Sequence, residues 1–293
     1  MSQIPDTGVA GRARPFVLWV GETPDTELGL ARSGLSGLVP VIEAATPEAA
    51  VALDMPGQQS PAIALLAASL PGGWTLADAV LLSRRWPLTP VVSVATSLID
   101  GRRRSGPPLP GIEEVPWTDL PGRIAWWLHD MAAGRPGTLG MPATSRREER
   151  IMESAVRVRE WSIPQRPRPR VSVAAARAGE VECLVDLLSA AGTPVVRRTC
   201  GRPALDEPAD VLVWDVSALA QSHLAWLQIL SANRPGLRVV LLDSFPRGDS
   251  TIAALRAGAA AVLARPVSLE ALAGTLLQVD PAAIGLGGEQ DRG

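Results

Sequence analysis

The chain carries two copies of one pattern. Short apolar runs alternate with longer helix-compatible segments, first at 16–20, 39–42, 62–66, 91–94 and 112–115, and again at 171–175, 194–197, 211–214, 239–242 and 260–263. The landmarks keep a nearly fixed offset. Ile63 and Leu212 lie 149 positions apart, Val91 and Val239 148, Pro116 and Pro266 150, and Leu120 and Leu269 149. Apolar runs of strand length separated by helical lengths are the mark of βαβ units, whose parallel sheets are covered on both faces. The constant offset predicts a duplicated α/β domain rather than one large sheet.

A length of 293 residues, 46% of them apolar, suits two globular domains. The expected division is a disordered N-terminus at 1–14, a first domain at 15–132, a linker with a charged helix at 133–170, a second domain at 171–280 and a flexible tail at 281–293. The linker opens with Gly134, Pro136, Gly137, Gly140 and Pro142 and closes with Pro164, Pro167 and Pro169. Between them, 145–161 reads as a helix, with Thr144 or Ser145 as its cap and Glu148 and Glu149 in its first turns. Ile151, Ala155, Val158 and Trp161 form one apolar stripe. That stripe suits a connector packed on a domain, or a surface that pairs with a second copy.

Composition narrows the function classes. A net charge of -2 gives no global attraction to nucleic acid or to anionic membrane, so neither is an expected partner. No stretch approaches the roughly 18 apolar residues of a membrane helix, and the first residues lack a signal-type apolar run. A cytoplasmic protein is expected. Cys183 and Cys200 have no metal-type spacing and read as reduced thiols. His129 and His223 sit in apolar helices and read as satisfied histidines. Trp126 and Trp127 are adjacent on one helix, so they face different sides, which would leave one for a partner. Patterns for a catalytic triad, a phosphate-binding loop or paired-cysteine zinc are missing.

The strand ends of the second copy carry the chemistry. Open parallel sheets place functional groups at the carboxyl ends of their strands. There the run 211–214 delivers Asp215, and 239–242 delivers Asp243 and Ser244. The segment Ala257-Gly258-Ala259 follows, then Arg265-Pro266. In order and spacing these parts resemble the response-regulator receiver (CheY-like) family. Arg265 stands where that family has lysine, and the chain contains no lysine.

The resemblance implies two flavodoxin-like α/β domains in tandem, each a five-stranded parallel sheet in the order 2-1-3-4-5. It makes Asp215 the counterpart of the phosphoacceptor and implies a cis Arg265-Pro266 bond. It also shows what is missing. Ala174, Ala175 and Ala176 stand where the family's metal-binding carboxylates follow the first strand, so no metal or cofactor is expected. Asp243 aligns with the hydroxyl position, with Ser244 as the alternative one residue on. Val262 takes the place of the aromatic that reports phosphorylation. A constitutive pair of Arg265 with Asp215 or with Asp243 is therefore expected in a vestigial pocket of Asp215, Asp243, Ser244, Arg265 and Pro266. In the first copy the acceptor position falls on Ala67, the fourth strand ends in Ala95-Thr96, and Val115 precedes Pro116 where the lysine would be; Glu22 survives alone.

The function expected from this is non-enzymatic: a signalling or scaffold protein of two pseudo-receiver domains that acts through protein–protein contacts, with phosphorylation lost. Arg102, Arg103 and Arg104, in place of an obvious fourth helix, and Leu269, on the last helix, are the candidate contacts. A protein of a signalling pathway is the expected partner, with a homodimer also open. Two other readings stay open. One is an atypical response regulator phosphorylated on Asp215; the other is a two-domain α/β enzyme with a ligand cleft between its halves.

Overall fold

The structure is a computed structural model that describes residues 14–55, 59–100, 109–135, 137–142, 144–160 and 168–279. The arginines at 102–104 lie outside the described residues. The first sheet contains β1 (Val17–Val20), β2 (Val41–Ala44), β3 (Ile63–Ala68), β4 (Val91–Ala95) and β5 (Glu113–Pro116), in the order β2-β1-β3-β4-β5. The second contains β6 (Val171–Ala175), β7 (Val195–Cys200), β8 (Val211–Ser217), β9 (Arg238–Asp243) and β10 (Ala259–Ala264). Its order, β10-β9-β8-β6-β7, is the same one read from the opposite edge. The strand pairings are parallel. These are two flavodoxin-like sheets in tandem.

Side-chain alternation explains why helices cover both faces. On β1, Val17 and Trp19 join a core layer with Leu28 and Leu35 of α1 (Thr26–Ser36) and Leu120 and Ile124 of α5 (Leu120–Ala132). Leu18 and Val20 point the other way, to Ala50 of α2 (Pro47–Ala52) and Leu82 of α3 (Leu76–Arg85). Residues at the helix starts fix where these helices begin. Asp25 accepts from Leu28 N at 2.7 Å, Thr46 caps α2 ahead of Pro47, and Thr75 and Asp78 form a reciprocal box on α3. The fourth helix of this half is a single turn, α4 (Ser97–Asp100).

The second half repeats the plan with α7 (Ala178–Ala190), α8 (Gln221–Asn233), α9 (Gly248–Arg256) and α10 (Leu269–Val279). Between the halves runs α6 (Arg147–Glu160). It starts later than the sequence suggests, and Glu149 reaches back to Arg146 N at 2.8 Å in place of a Thr144 or Ser145 cap. Of its expected apolar stripe, Val158 is buried in the first-half core, whereas Ile151 is 55% exposed.

The two halves meet along α5 and α10, the last helix of each. On α10, Leu272 and Leu276 face their own sheet, while Ala273, Leu269 and Leu277 pack on the core of the first half. The backbones come close at small residues. A Cβ on Gly274 would overlap the carbonyl oxygen of Gly122, and one on Gly122 would lie 2.5 Å from that of Ala271. Gly122 and Ala271 are 149 positions apart, so equivalent points of the two repeats touch, as at a two-fold axis. Gln278 Nε2 also donates to Pro121 O at 2.7 Å. This contact corrects two expectations. Leu269 is half-buried against the first half rather than open to a partner, and Trp126 and Trp127 are both buried, because α5 has a sheet on one side and α10 on the other.

Candidate functional site

β8 brings Asp215 to the carboxyl edge of the second sheet, opposite Ala175 of β6. The strand then bends at Ser217, which has a left-handed φ of 57° and donates its N–H to Asp215 Oδ1 at 2.9 Å. Arg265 arrives from the end of β10. Its Nη1 lies 3.1 Å from Asp215 Oδ1 and 2.9 Å from Ser217 Oγ, while its Nη2 lies 3.6 Å from Glu180 Oε1. One guanidinium thus stands between two carboxylates. Asp215 is 3% exposed, and burial raises its carboxyl pKa against the opposing pull of the Ser217 N–H and the Arg265 charge.

The other expected pocket residues divide. Ser244, Arg265 and Pro266 line an open hollow together with Ala176, Arg177, Glu180 and Ser217. The Arg265-Pro266 bond is cis. Asp243 is buried and turned into its own loop, where its Oδ1 accepts from Phe245 N at 3.1 Å. Of the two pairs expected for Arg265, the one present in the structure is with Asp215. Glu180 was not foreseen. Its signal was its place at the third position of α7, from which its carboxylate also accepts from Arg177 N at 3.2 Å.

These residues do not fit Mg²⁺, which takes carboxylates and water in octahedral geometry. The end of β6 offers alanines, and the two nearby carboxylates already share the charge of Arg265. Among the described residues no group of three or more His, Cys, Asp or Glu could hold a metal ion.

The corresponding place in the first half is filled differently. Ala67 occupies the acceptor position, and the Trp74 ring lies beside it. Gly21 has φ 122°, and a Cβ there would overlap Ala67 O and come within 3.1 Å of the Trp74 ring. Ser97, just past β4, donates its N–H and its hydroxyl to Glu27 of α1, both at 2.7 Å. Thr96 donates to Ser69 O at 3.0 Å. The hydroxyls at this edge serve the fold.

A denser polar cluster sits where the halves meet. Arg123 of α5 pairs with Glu113 of β5 and, at 2.9 Å, with Glu270 of α10, and it stacks over Trp127 at 4.7 Å. Glu270, 1% exposed, accepts from Trp127 Nε1 at 3.1 Å, Thr138 Oγ1 at 2.8 Å and Ser154 Oγ at 2.7 Å. Both halves and the connector supply these groups. Beside them lies a cleft of about 900 Å³ whose lining includes Thr96, Glu113, Arg150, Phe245 and Glu270. Of its charged lining groups, Arg123, Arg150, Glu113 and Glu270 pair with one another, Arg150 with Glu113 at 3.5 Å, while Asp119 accepts from Ala264 N at 3.1 Å.

The histidines have local roles. His223 Nδ1 accepts from Ala220 N at 3.1 Å and its ring meets Trp214 edge-on; burial lowers its pKa. His129 lies beside Trp126, its pKa lowered by burial and then by Arg135. Cys183 and Cys200 are free and exposed. No helix among the described residues is long and apolar enough to cross a membrane.

Comparison with solved structures finds receiver domains and pilus-assembly proteins. A pilus assembly-related protein of Burkholderia pseudomallei is 29% identical over 41% of this chain and 95% of its own, with a TM-score of 0.38. The pilus assembly protein CpaE of Burkholderia thailandensis is 31% identical over 38% of this chain and 96% of its own, with a TM-score of 0.35. A CheY-like receiver domain of Methanospirillum hungatei is 15% identical over 41% of this chain and all of its own, at 0.35. No protein-family model matches the chain, and neither does any curated protein.

Proposed function

We propose that this tandem of two receiver-like domains is a non-enzymatic scaffold that works by binding other proteins, without phosphorylation of Asp215. The observation that carries this reading is Arg265 held between Asp215 and Glu180. Phosphoryl transfer needs positive charge that is free to neutralise the spread negative charge of the transferring group. Here that charge is spent on two carboxylates, and alanines stand where metal ligands would be. The first half lacks an acceptor altogether, with Ala67 at the position and Trp74 beside it.

The junction supports the same reading. A receiver that switches its last-helix face needs that face to be available, and here α5 and α10 cover one another. Four of the charged groups that line the interdomain cleft, Arg123, Arg150, Glu113 and Glu270, are likewise satisfied by each other, where an enzyme would present them to a substrate.

Intact mass after incubation with acetyl phosphate, with and without Mg²⁺, tests the reading. No adduct is expected. A phosphoryl-sized adduct that requires Mg²⁺ and disappears in Asp215→Ala would replace it with that of an atypical response regulator. Partner capture then compares Asp215→Asn with a variant in which Arg102, Arg103 and Arg104 are all Glu. The scaffold reading expects Asp215→Asn to bind as wild type and the arginine variant to lose binding. Components of pilus assembly, the process in the names of two similar structures, belong among the candidates screened.

A further inference from the structure

α6 turns one side inward and leaves the other open. Val158 is buried and Ser154 is bonded to Glu270. At about 3.6 residues per turn, the opposite side carries Glu148, Glu149, Met152, Val156 and Arg159, all exposed. Met152 is 66% exposed and Val156 46%. Neither belongs to the apolar stripe read from the sequence. Along the helix axis this outer side runs acidic, apolar, apolar, basic.

We propose that two copies of this chain associate through antiparallel α6 helices. A surface that meets its own copy across a two-fold axis must be self-complementary. With the axis beside residue 154, Met152 of each copy faces Val156 of the other, and Glu149 faces Arg159. Glu149 and Arg159 are ten positions apart, about 15 Å along the helix, so the ion pairs flank the apolar centre at both ends. A parallel arrangement would set like ends together. The remaining charges at the basic end are engaged at home: Arg157 with Glu153 at 2.6 Å and Glu160 with Arg135 at 3.9 Å. A single helix pair buries less than the roughly 1,200–2,000 Å² of a stable interface, so the association is weak and depends on concentration. It does not rest on the state of Asp215, and failure here leaves the phosphorylation test untouched.

Sedimentation of the full chain over a range of concentrations tests it. A monomer that converts to a dimer as concentration rises is expected, with the dimer lost in Met152→Asp and in Val156→Asp. Arg159→Glu should weaken it, and adding Glu149→Arg should restore it, which the loss of the Glu149 bond to Arg146 N at the start of α6 could not do. A chain that stays monomeric throughout, or a dimer indifferent to these changes, overturns the proposal. Circular dichroism shows whether α6 persists in the variants. Should an aspartate variant lose helix, a disulfide trap in a Cys183→Ser, Cys200→Ser background decides. Mixed Met152→Cys and Val156→Cys chains should cross-link to each other in preference to themselves, and the reverse preference refutes the antiparallel pair.

Discussion

Arg265 and Arg123 each stand between two carboxylates, and they do different things. Arg265 lies at the open edge of the second sheet, 29% exposed, between Asp215 and Glu180. Arg123 lies in the junction, 11% exposed, between Glu113 and Glu270. The difference is in the hydrogen bonds around them. Glu270 has three further side-chain donors, an indole and two hydroxyls from elements distant in sequence. The further donors to the carboxylates of the Arg265 cluster are local backbone groups, Ser217 N–H to Asp215 and Arg177 N–H to Glu180, with the Ser217 hydroxyl on Arg265 itself. A buried charge pair depends on such donors to offset its desolvation. The junction cluster can therefore hold elements together, while the edge cluster keeps a pocket in shape near solvent.

Removing one carboxylate from the junction is the strongest way to break this contrast. Glu270→Ala leaves Arg123 buried without that partner and three donors unsatisfied. A loss of about 3–5 kcal/mol is expected in urea unfolding. With the halves uncoupled, limited proteolysis should cut within 133–170 and release two folded fragments. Gly274→Ala attacks the same junction by volume instead of charge. Its added methyl meets the Gly122 backbone, which cannot rotate away as a side chain can. About 2–3 kcal/mol of destabilisation is expected, measured as a shift of the urea midpoint at unchanged slope.

At the edge cluster the effects should be smaller. Arg265→Met removes the shared cation and leaves Glu180 on the hollow and Asp215 buried without its charge partner, and about 1–2 kcal/mol should be lost. A loss as large as that of Glu270→Ala would erase the distinction between the clusters. Asp215→Asn should change stability at neutral pH by less than about 1 kcal/mol, since the amide oxygen can still accept from Ser217 N and Arg265. The pH dependence sharpens this. Burial holds the Asp215 pKa above its unfolded value, so its contribution is fully present below the ordinary carboxylate range and is lost as pH rises through the folded pKa. Wild type should therefore gain on Asp215→Asn as pH falls from neutral, and paired urea titrations across that range would show it.

The duplicated sheet was legible in the sequence because parallel strands buried on both faces must be continuous apolar runs, and the repeat offset marked where the second set began. Asp215, Ser244 and Arg265 were legible for a related reason: strand ends in such a sheet converge on one edge whatever else the chain does. Glu180 and Glu270 were not. Each lies on a helix at a position that would read equally well as solvated, and only the packing of that helix brings its carboxylate to an arginine distant in sequence. Leu269 shows the same limit from the apolar side. Its sequence marks it as one face of an amphipathic helix but does not say what covers that face. The local pattern of residues fixed each element and its sheet, because those depend on short-range periodicity. Which helix faces meet, and which charges are buried together, was decided by the tertiary fold, because both depend on how two finished domains fit against one another.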